Sequence, residues 1–171
     1  KTIEEFIGQK HLLGKGRAIR VMLDKQEIKS MILWGPPGSG KTTLARLIAK
    51  YVHADFIQVS AVEDKISEVK KLFGQAKQNK ELYGKETIIF VDEIHRFNKA
   101  QQDAFLPFVE NGTITLIGAT TENPGFEVIS PLLSRSQLFI LNALEDDEIK
   151  EIIDIAVKNL PGVKIDNESK E

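Results

Sequence analysis

Between an apolar run, Met31-Ile32-Leu33-Trp34, and an amphipathic stretch opening at Thr42, the chain carries Gly35-Pro36-Pro37-Gly38-Ser39-Gly40-Lys41-Thr42. This is the spacing G-x-x-x-x-G-K-[ST], and no other feature narrows the possible folds as much. The glycines let a turn wrap closely around phosphate oxygens with its N–H groups pointing inward, and the helix that follows adds its positive N-terminal end. The chemistry needs a buried strand to deliver the loop and a helix to leave it, and both are legible here. Lys41 then supplies a point charge for β- and γ-phosphates, and Thr42 a hydroxyl for Mg²⁺. The bland alternative is a chance glycine-rich turn, which the strand–loop–helix setting argues against.

The flanking pattern extends this reading. Phe56-Ile57-Gln58-Val59, Thr87-Ile88-Ile89-Phe90-Val91, Thr115-Leu116-Ile117-Gly118 and Leu138-Phe139-Ile140-Leu141 are continuous apolar runs rather than alternating ones. Such runs fit strands buried on both faces of a parallel sheet. Between them, residues 42–51, 63–80 and 99–109 show helical spacing, with Pro107 disturbing the last turn of the third. Strand and helix in alternation predict an α/β fold, a P-loop NTPase three-layer sandwich with a central parallel sheet. Residues 1–142 form the nucleotide-binding core in this reading. From Ala143 a new amphipathic pattern begins (Leu144, Ile149, Ile152, Ile153, Ala156, Leu160) and stops at Pro161-Gly162. A lone helix with so wide an apolar stripe needs a partner. It docks on this core, or it opens a second unit, so that 143–171 is the start of a helical lid, truncated.

Composition limits the function classes. The 171 residues suffice for one domain with a real core, and a charged fraction of 28% fits a soluble globular protein. Only the polar end, Asp166 to Glu171, has too little to bury for an ordered structure. No apolar run approaches membrane-spanning length, and no signal-peptide pattern opens the chain, so no membrane partner is expected. With no cysteine there is neither a disulfide framework nor a thiolate metal site, which fits the cytoplasm. A formal net charge of −2 argues against DNA binding over the whole surface. Any DNA surface is local, assembled between subunits, or in other sequence. The first residue is Lys1 rather than Met, as in an excised fragment.

Three further elements carry chemistry. The run Ile88 to Val91 ends in Asp92-Glu93, and a strand parallel to the first brings both acids to the sheet edge of the phosphate loop. Asp92 suits Mg²⁺, and Glu93 suits a general base that polarises the attacking water, although carboxylates there can also cap a helix. Asp92-Glu93-Ile94-His95 spells the D-E-x-H of two-lobed helicases, but the chain has room for one lobe. His95 has no histidine or cysteine at metal-ligand spacing, so it reads as a hydrogen-bonding side chain near the nucleotide or an interface. Next, Ile117-Gly118-Ala119 runs into Thr120-Thr121-Glu122-Asn123-Pro124, where a hydroxyl or amide could orient water opposite Glu93, or simply cap a turn. Finally Ser134-Arg135 precedes the last apolar run. Arginine supplied by a neighbour stabilises charge on a transferring phosphoryl group. A solvated surface arginine is the alternative.

These elements in this order resemble the AAA+ superfamily. The middle of the chain is more specific. Asp92-Glu93-Ile94-His95-Arg96-Phe97-Asn98-Lys99-Ala100-Gln101-Gln102-Asp103, continued by Phe105-Leu106-Pro107, Val109-Glu110-Asn111-Gly112 and Gly118 to Pro124, is similar to the replication-associated recombination protein A family. That family is also called maintenance-of-genome-stability protein A, or Werner-helicase-interacting protein. The resemblance covers about residues 3–160. It implies the large subdomain of the AAA+ fold, with ATP or ADP and Mg²⁺ as ligands. Nucleotide contacts come from Ile7 and Gly8, in the segment that packs against adenine, and from Pro37, Gly38, Ser39, Gly40, Lys41, Thr42 and Thr43. It implies Thr42 and Asp92 at the metal, Glu93 as base, Thr121 as the first sensor with adjacent Thr120 the other match, and Arg135 as a finger into the neighbouring subunit. It further implies a DNA-dependent ATPase in replication-fork maintenance and recombination, acting on forked, gapped or single-stranded DNA as a homo-oligomer. Single-strand-binding protein or other replication proteins would be partners, in the cytoplasm at the nucleoid. Rival readings are a clamp-loader ATPase subunit, a Holliday-junction branch-migration motor, a small-molecule kinase and a degenerate scaffold. His95 to Lys99 leans away from the first, Thr121 to Pro124 from the second, and Arg135 from the last two.

Overall fold

A computed structural model describes residues 2–158. The chain forms β1 (Met31–Trp34), β2 (Asp55–Ser60), β3 (Thr87–Asp92), β4 (Thr115–Thr120) and β5 (Gln137–Ile140), joined in one sheet of order β2-β3-β4-β1-β5. All four pairings are parallel. Successive residues of the central strands point to opposite faces, and each face has its own core. Met31, Leu33, Ile88, Phe90, Ile117 and Ala119 pack against α1 (Lys10–Leu13), α2 (Ala18–Asp24) and α3 (Lys41–Tyr51). Ile32, Ile89, Val91 and Leu116 pack on the other side against α4 (Ile66–Tyr83) and the segments around Phe97, Phe105 and Leu132. Burial on both faces is why β1, β3 and β4 read as unbroken apolar runs; β5, expected to be buried in the same way, lies at the sheet edge and leaves Leu138 and Ile140 exposed.

The second face also carries α5 (Lys99–Asp103), α6 (Leu106–Glu110), α7 (Pro124–Glu127) and α8 (Ser130–Ser134). Phe73 of α4 stacks on Phe108 at 4.4 Å and meets Phe105 edge-on at 5.1 Å. Aromatic pairs of this kind contribute about 0.5–1.5 kcal/mol each beyond their buried area. They hold the segment after β3, which bears the acids, firmly against the sheet.

The sequence-predicted helix over 99–109 is two helices. Pro107 has no N–H to donate to the carbonyl four residues back, and the chain re-enters helix with the proline in the first turn of α6. The helix expected from residue 63 begins at Ile66, because the Asp64 carboxylate accepts the Ser60 N–H at 2.7 Å and closes a turn there. It runs on to Gly84, whose left-handed φ of 63° caps it. β4 continues through Thr120, so the first hydroxyl residue belongs to the strand.

After β5 the chain turns at Asn142 and forms α9 (Asp146–Lys158), none of whose residues is fully buried. Leu160, the stop at Pro161-Gly162 and the polar end lie outside the described residues. No described helix is long and apolar enough to cross a membrane.

Candidate nucleotide site

The loop between β1 and α3 is held open by glycine. Gly40, the N-cap of α3, sits at φ 91°, which a residue with a Cβ adopts only under strain. The Phe6 ring lies against it, 3.1 Å from where a Cβ would stand. Lys41 is buried and folds back on its own loop, donating to the carbonyls of Gly35 and Pro36 at 2.8 Å each. Burial pushes its pKa below the ordinary lysine value, and the carboxylates of Glu93 and then Asp92 pull the other way. The ammonium therefore stands within electrostatic reach of both acids. Ser39 Oγ is buried without a hydrogen-bond partner. The loop thus holds one buried hydroxyl with no partner beside a buried ammonium that only neutral carbonyls contact, and an anion in it would give the first a partner and the second a counter-charge.

The sheet brings the other elements to the same edge. Trp34 is in register with Thr120, and the Gly35 N–H donates to the Thr120 carbonyl at 3.2 Å. Asp92 ends β3 beside β4. Glu93 then takes a left-handed φ of 53° and starts a 3-10 turn over Ile94–Arg96. Such a backbone costs a non-glycine residue about 1–2 kcal/mol. It turns the Glu93 carboxylate onto His95, with Oε2 at 3.2 Å from Nδ1. The same Nδ1 lies 2.9 Å from Thr120 Oγ1. Thr120 is fully buried. Thr121 is half-buried one residue beyond the strand, and its carbonyl accepts the Trp34 indole N–H at 3.4 Å.

The segment before α1 closes the loop from the side. Gln9 is buried; its amide donates to the carbonyls of Ser39 at 3.2 Å and Asn142 at 2.8 Å, and its oxygen accepts the Asn142 N–H at 3.0 Å. One side chain thus ties the N-terminal segment, the phosphate loop and the turn after β5 together. Next to it a cleft of about 250 Å³ is lined by Phe6, Ile7, Gly38, Thr43, Leu144 and Ile152, among others. Gly8 sits at φ 85° beneath Leu144, whose Cδ2 would be 2.6 Å from a Cβ at that position. The described part of the C-terminal segment therefore packs over the side of the loop where Ile7 and Gly8 were expected to act. Pro37 is exposed on the loop's outer side, and Thr42 is half-buried at the first turn of α3.

Arg135 stands apart. It precedes β5, whose first residue pairs with Met31 at the start of β1. It therefore occupies the sheet edge opposite its own phosphate loop, paired with Glu110. The site residues that sequence reasoning missed are Gln9 as a strut and Leu144 and Ile152 as cleft walls; His95 is the hydrogen-bonding side chain it expected, with partners it did not name. A buried glutamine carries no local signal. His95 had one, the D-E-x-H spacing, but its partner is 25 residues away in the chain.

A five-stranded parallel sheet with this loop, this acid pair and this polar strand end defines a P-loop ATPase, and the chain belongs to the ATPase family associated with various cellular activities (AAA), whose sequence profile matches residues 31–144. Within that family it is similar to the replication-associated recombination protein A proteins. It is 48% identical to that of Escherichia coli (strain K12) over 159 residues, 93% of this chain and 35% of the relative. To that of Coxiella burnetii it is 50% identical over 157 residues, 92% of this chain and 35% of the relative. The chain thus spans about a third of the length of these curated relatives. Among solved structures, the Holliday junction branch migration motor RuvB of Thermotoga maritima superposes with a TM-score of 0.72 at 33% identity. That match covers 93% of this chain and 53% of the RuvB chain.

Proposed function

We propose that this chain is the ATP-binding and ATP-hydrolysing core of a DNA-dependent AAA+ ATPase that acts in replication-fork maintenance and recombination. One observation carries the reading. A buried Lys41 ammonium inside a glycine loop is within the field of Glu93 and Asp92 at the same sheet edge. In this reading Lys41 leaves the Gly35 and Pro36 carbonyls for the β- and γ-phosphates of ATP. The loop N–H groups from Gly38 to Thr43 and the unpartnered Ser39 hydroxyl join it. The base and ribose take the cleft beside Ile7, Gly8 and Thr43.

Thr42 and Asp92 are two oxygen donors, the small protein contribution that suits Mg²⁺, which keeps its remaining positions for phosphate oxygens and water. Bound there, Mg²⁺ would neutralise charge on the phosphates. Glu93 accepts the proton of the attacking water. Thr121 is the hydroxyl facing that water, since Thr120 is already engaged by His95 and by the Glu122 N–H at 3.0 Å. Arg135, on the opposite edge, serves the site of a neighbouring copy in a homo-oligomer.

DNA as partner, in forked, gapped or single-stranded form, is supported by the similarity to replication-associated recombination proteins. So is a place among replication proteins such as a single-strand-binding protein, in the cytoplasm or at a nucleoid. The fold likeness to RuvB favours a second reading, a branch-migration motor. The test is ATP turnover by the full-length protein with forked, gapped and four-way-junction DNA. Stimulation by forks and gaps supports the first reading, and stimulation by four-way junctions alone the second. Turnover equal to that of Lys41→Ala under every condition overturns both.

A further inference from the structure

We propose that His95 is a positioning residue for Glu93, a brace that fixes the carboxylate by tying it to the end of β4. The inference rests on the reading of Glu93 as the base of ATP hydrolysis and adds to it a residue that contacts Glu93 and Thr120. The geometry is a chain of three side chains. Thr120 Oγ1 is the fixed end: the residue is fully buried, and its hydroxyl oxygen accepts the Glu122 N–H at 3.0 Å. Its single proton has an acceptor in the Glu122 carbonyl at 3.2 Å. What remains on Oγ1 is an acceptor lone pair, 2.9 Å from His95 Nδ1. Glu93 Oε2, also an acceptor, is 3.2 Å from the same nitrogen.

Two acceptors converging on one ring nitrogen decide its proton. A bare Nδ1 would aim a lone pair at a carboxylate. A protonated Nδ1 donates to both oxygens in a shared, partly charge-assisted hydrogen bond. The structure thus assigns the neutral ring its Nδ1–H tautomer. The His95 side chain is 10% exposed and that of Glu93 35%, so the link sits at the border of the site rather than in bulk water.

Glu93 is then held at both ends. Its left-handed backbone, φ 53°, sets the direction in which the side chain leaves the chain. His95 holds Oε2, which leaves Oε1 to accept from the attacking water. A carboxylate on two flexible torsions would otherwise sample several rotamers, and small displacements of a catalytic group are costly in rate. His95 and Thr120 lie on different elements, so the brace also makes the position of Glu93 depend on the end of β4.

The experiment uses the full-length protein and two readouts. Nitrogen-15 NMR of the nucleotide-free protein should show His95 with a protonated Nδ1, and Glu93→Gln and Thr120→Val should each shift that resonance. In turnover, His95→Ala should lower kcat by about 10–100-fold, a fraction of what a general base contributes, with ATP affinity changed less than about twofold. His95→Asn, whose amide nitrogen stands where Nδ1 stood, should recover part of the rate, whereas His95→Gln, with its amide one bond further out, should not. Thr120→Val should lower kcat less and add nothing on top of His95→Ala, the signature of coupled residues. A bare Nδ1, an unchanged or raised kcat in His95→Ala, or an equal loss in the Asn and Ala variants overturns the proposal. So does a fall in ATP affinity that matches the fall in kcat. Wild-type protein that binds ATP without hydrolysing it sinks the assignment of Glu93 as base instead, and the NMR readout still decides whether the brace exists.

Discussion

Arg135 Nη2 lies 2.7 Å from Glu110 Oε1 at the sheet edge opposite the phosphate loop, and both side chains are more than two-fifths exposed. An ion pair so open to water contributes only about 0–1 kcal/mol. The other nitrogen, Nη1, donates to the Pro131 carbonyl at 2.9 Å and keeps the head of the side chain near α8. The arginine is therefore placed but cheaply released, which suits the role in a neighbouring site proposed for it.

Glu110→Ala should accordingly change the unfolding free energy by less than about 1 kcal/mol. If the full-length protein is the homo-oligomer proposed, Arg135→Ala should keep nucleotide affinity and slow turnover by about 10³–10⁵, the range of arginine fingers acting in trans. Mixing Arg135→Ala subunits with Lys41→Ala subunits should restore part of the activity that each lacks. Mixed oligomers without any recovery would return Arg135 to the role of a surface arginine.

Glu93→Gln preserves shape and removes the base. ATP affinity by calorimetry should stay within a few-fold of wild type, while turnover falls on the order of a hundredfold or more. Near-normal turnover in this variant would take Glu93 out of the mechanism.

Lys41→Ala should abolish measurable ADP binding. The lysine also makes a pH signature. Its folded pKa is lowered by burial, so the unfolded chain holds that proton more tightly. Between the lowered value and the ordinary lysine pKa, unfolding takes up protons, and the nucleotide-free protein gains stability as pH rises through that window. Lys41→Met should lose this rise in denaturant titrations. NMR of carbon-13-methylated lysines should find Lys41 titrating below the ordinary value, and moving up when ATP is added.

Gln102 is a structural strut between the acid-bearing segment and the one leading to Arg135. It is buried, donates to the carbonyls of Phe97 and Glu127 at 2.9 Å each, and accepts the Ile129 N–H at 3.0 Å. Gln102→Leu fits the volume and leaves three backbone groups without their partner. It should destabilise the domain by about 2–4 kcal/mol in urea unfolding. ADP affinity should hardly change, because the loop and its cleft lie elsewhere. A loss below 1 kcal/mol would mean that water replaces the side chain.

The sequence by itself determined what short-range chemistry can encode. Met31–Trp34 had to be a strand buried on both faces, because four apolar residues in a row leave no polar face to expose. The glycines and Lys41 could only make a tight loop feeding a helix. Asp92-Glu93 had to stand at the end of a strand, and Arg135 just before another. In a parallel sheet these positions are automatically opposite edges, so even the separation of Arg135 from its own loop was implicit once all strands ran one way.

Tertiary structure alone decided the rest. Gln9 reaches Asn142 across 133 residues, and His95 reaches Thr120 across 25. Neither contact leaves a periodicity in the chain, since each depends on which strands are neighbours. Once β4 lies between β3 and β1, the end of β4 must sit beside both the acids and the loop. That placement, together with the left-handed turn at Glu93, puts a carboxylate, an imidazole and a buried hydroxyl within one hydrogen-bonded line. The difference in burial between Thr120 and Thr121 shows the same limit. Two identical side chains, adjacent in sequence, differ only because one is the last residue of a buried strand and the other the first residue beyond it.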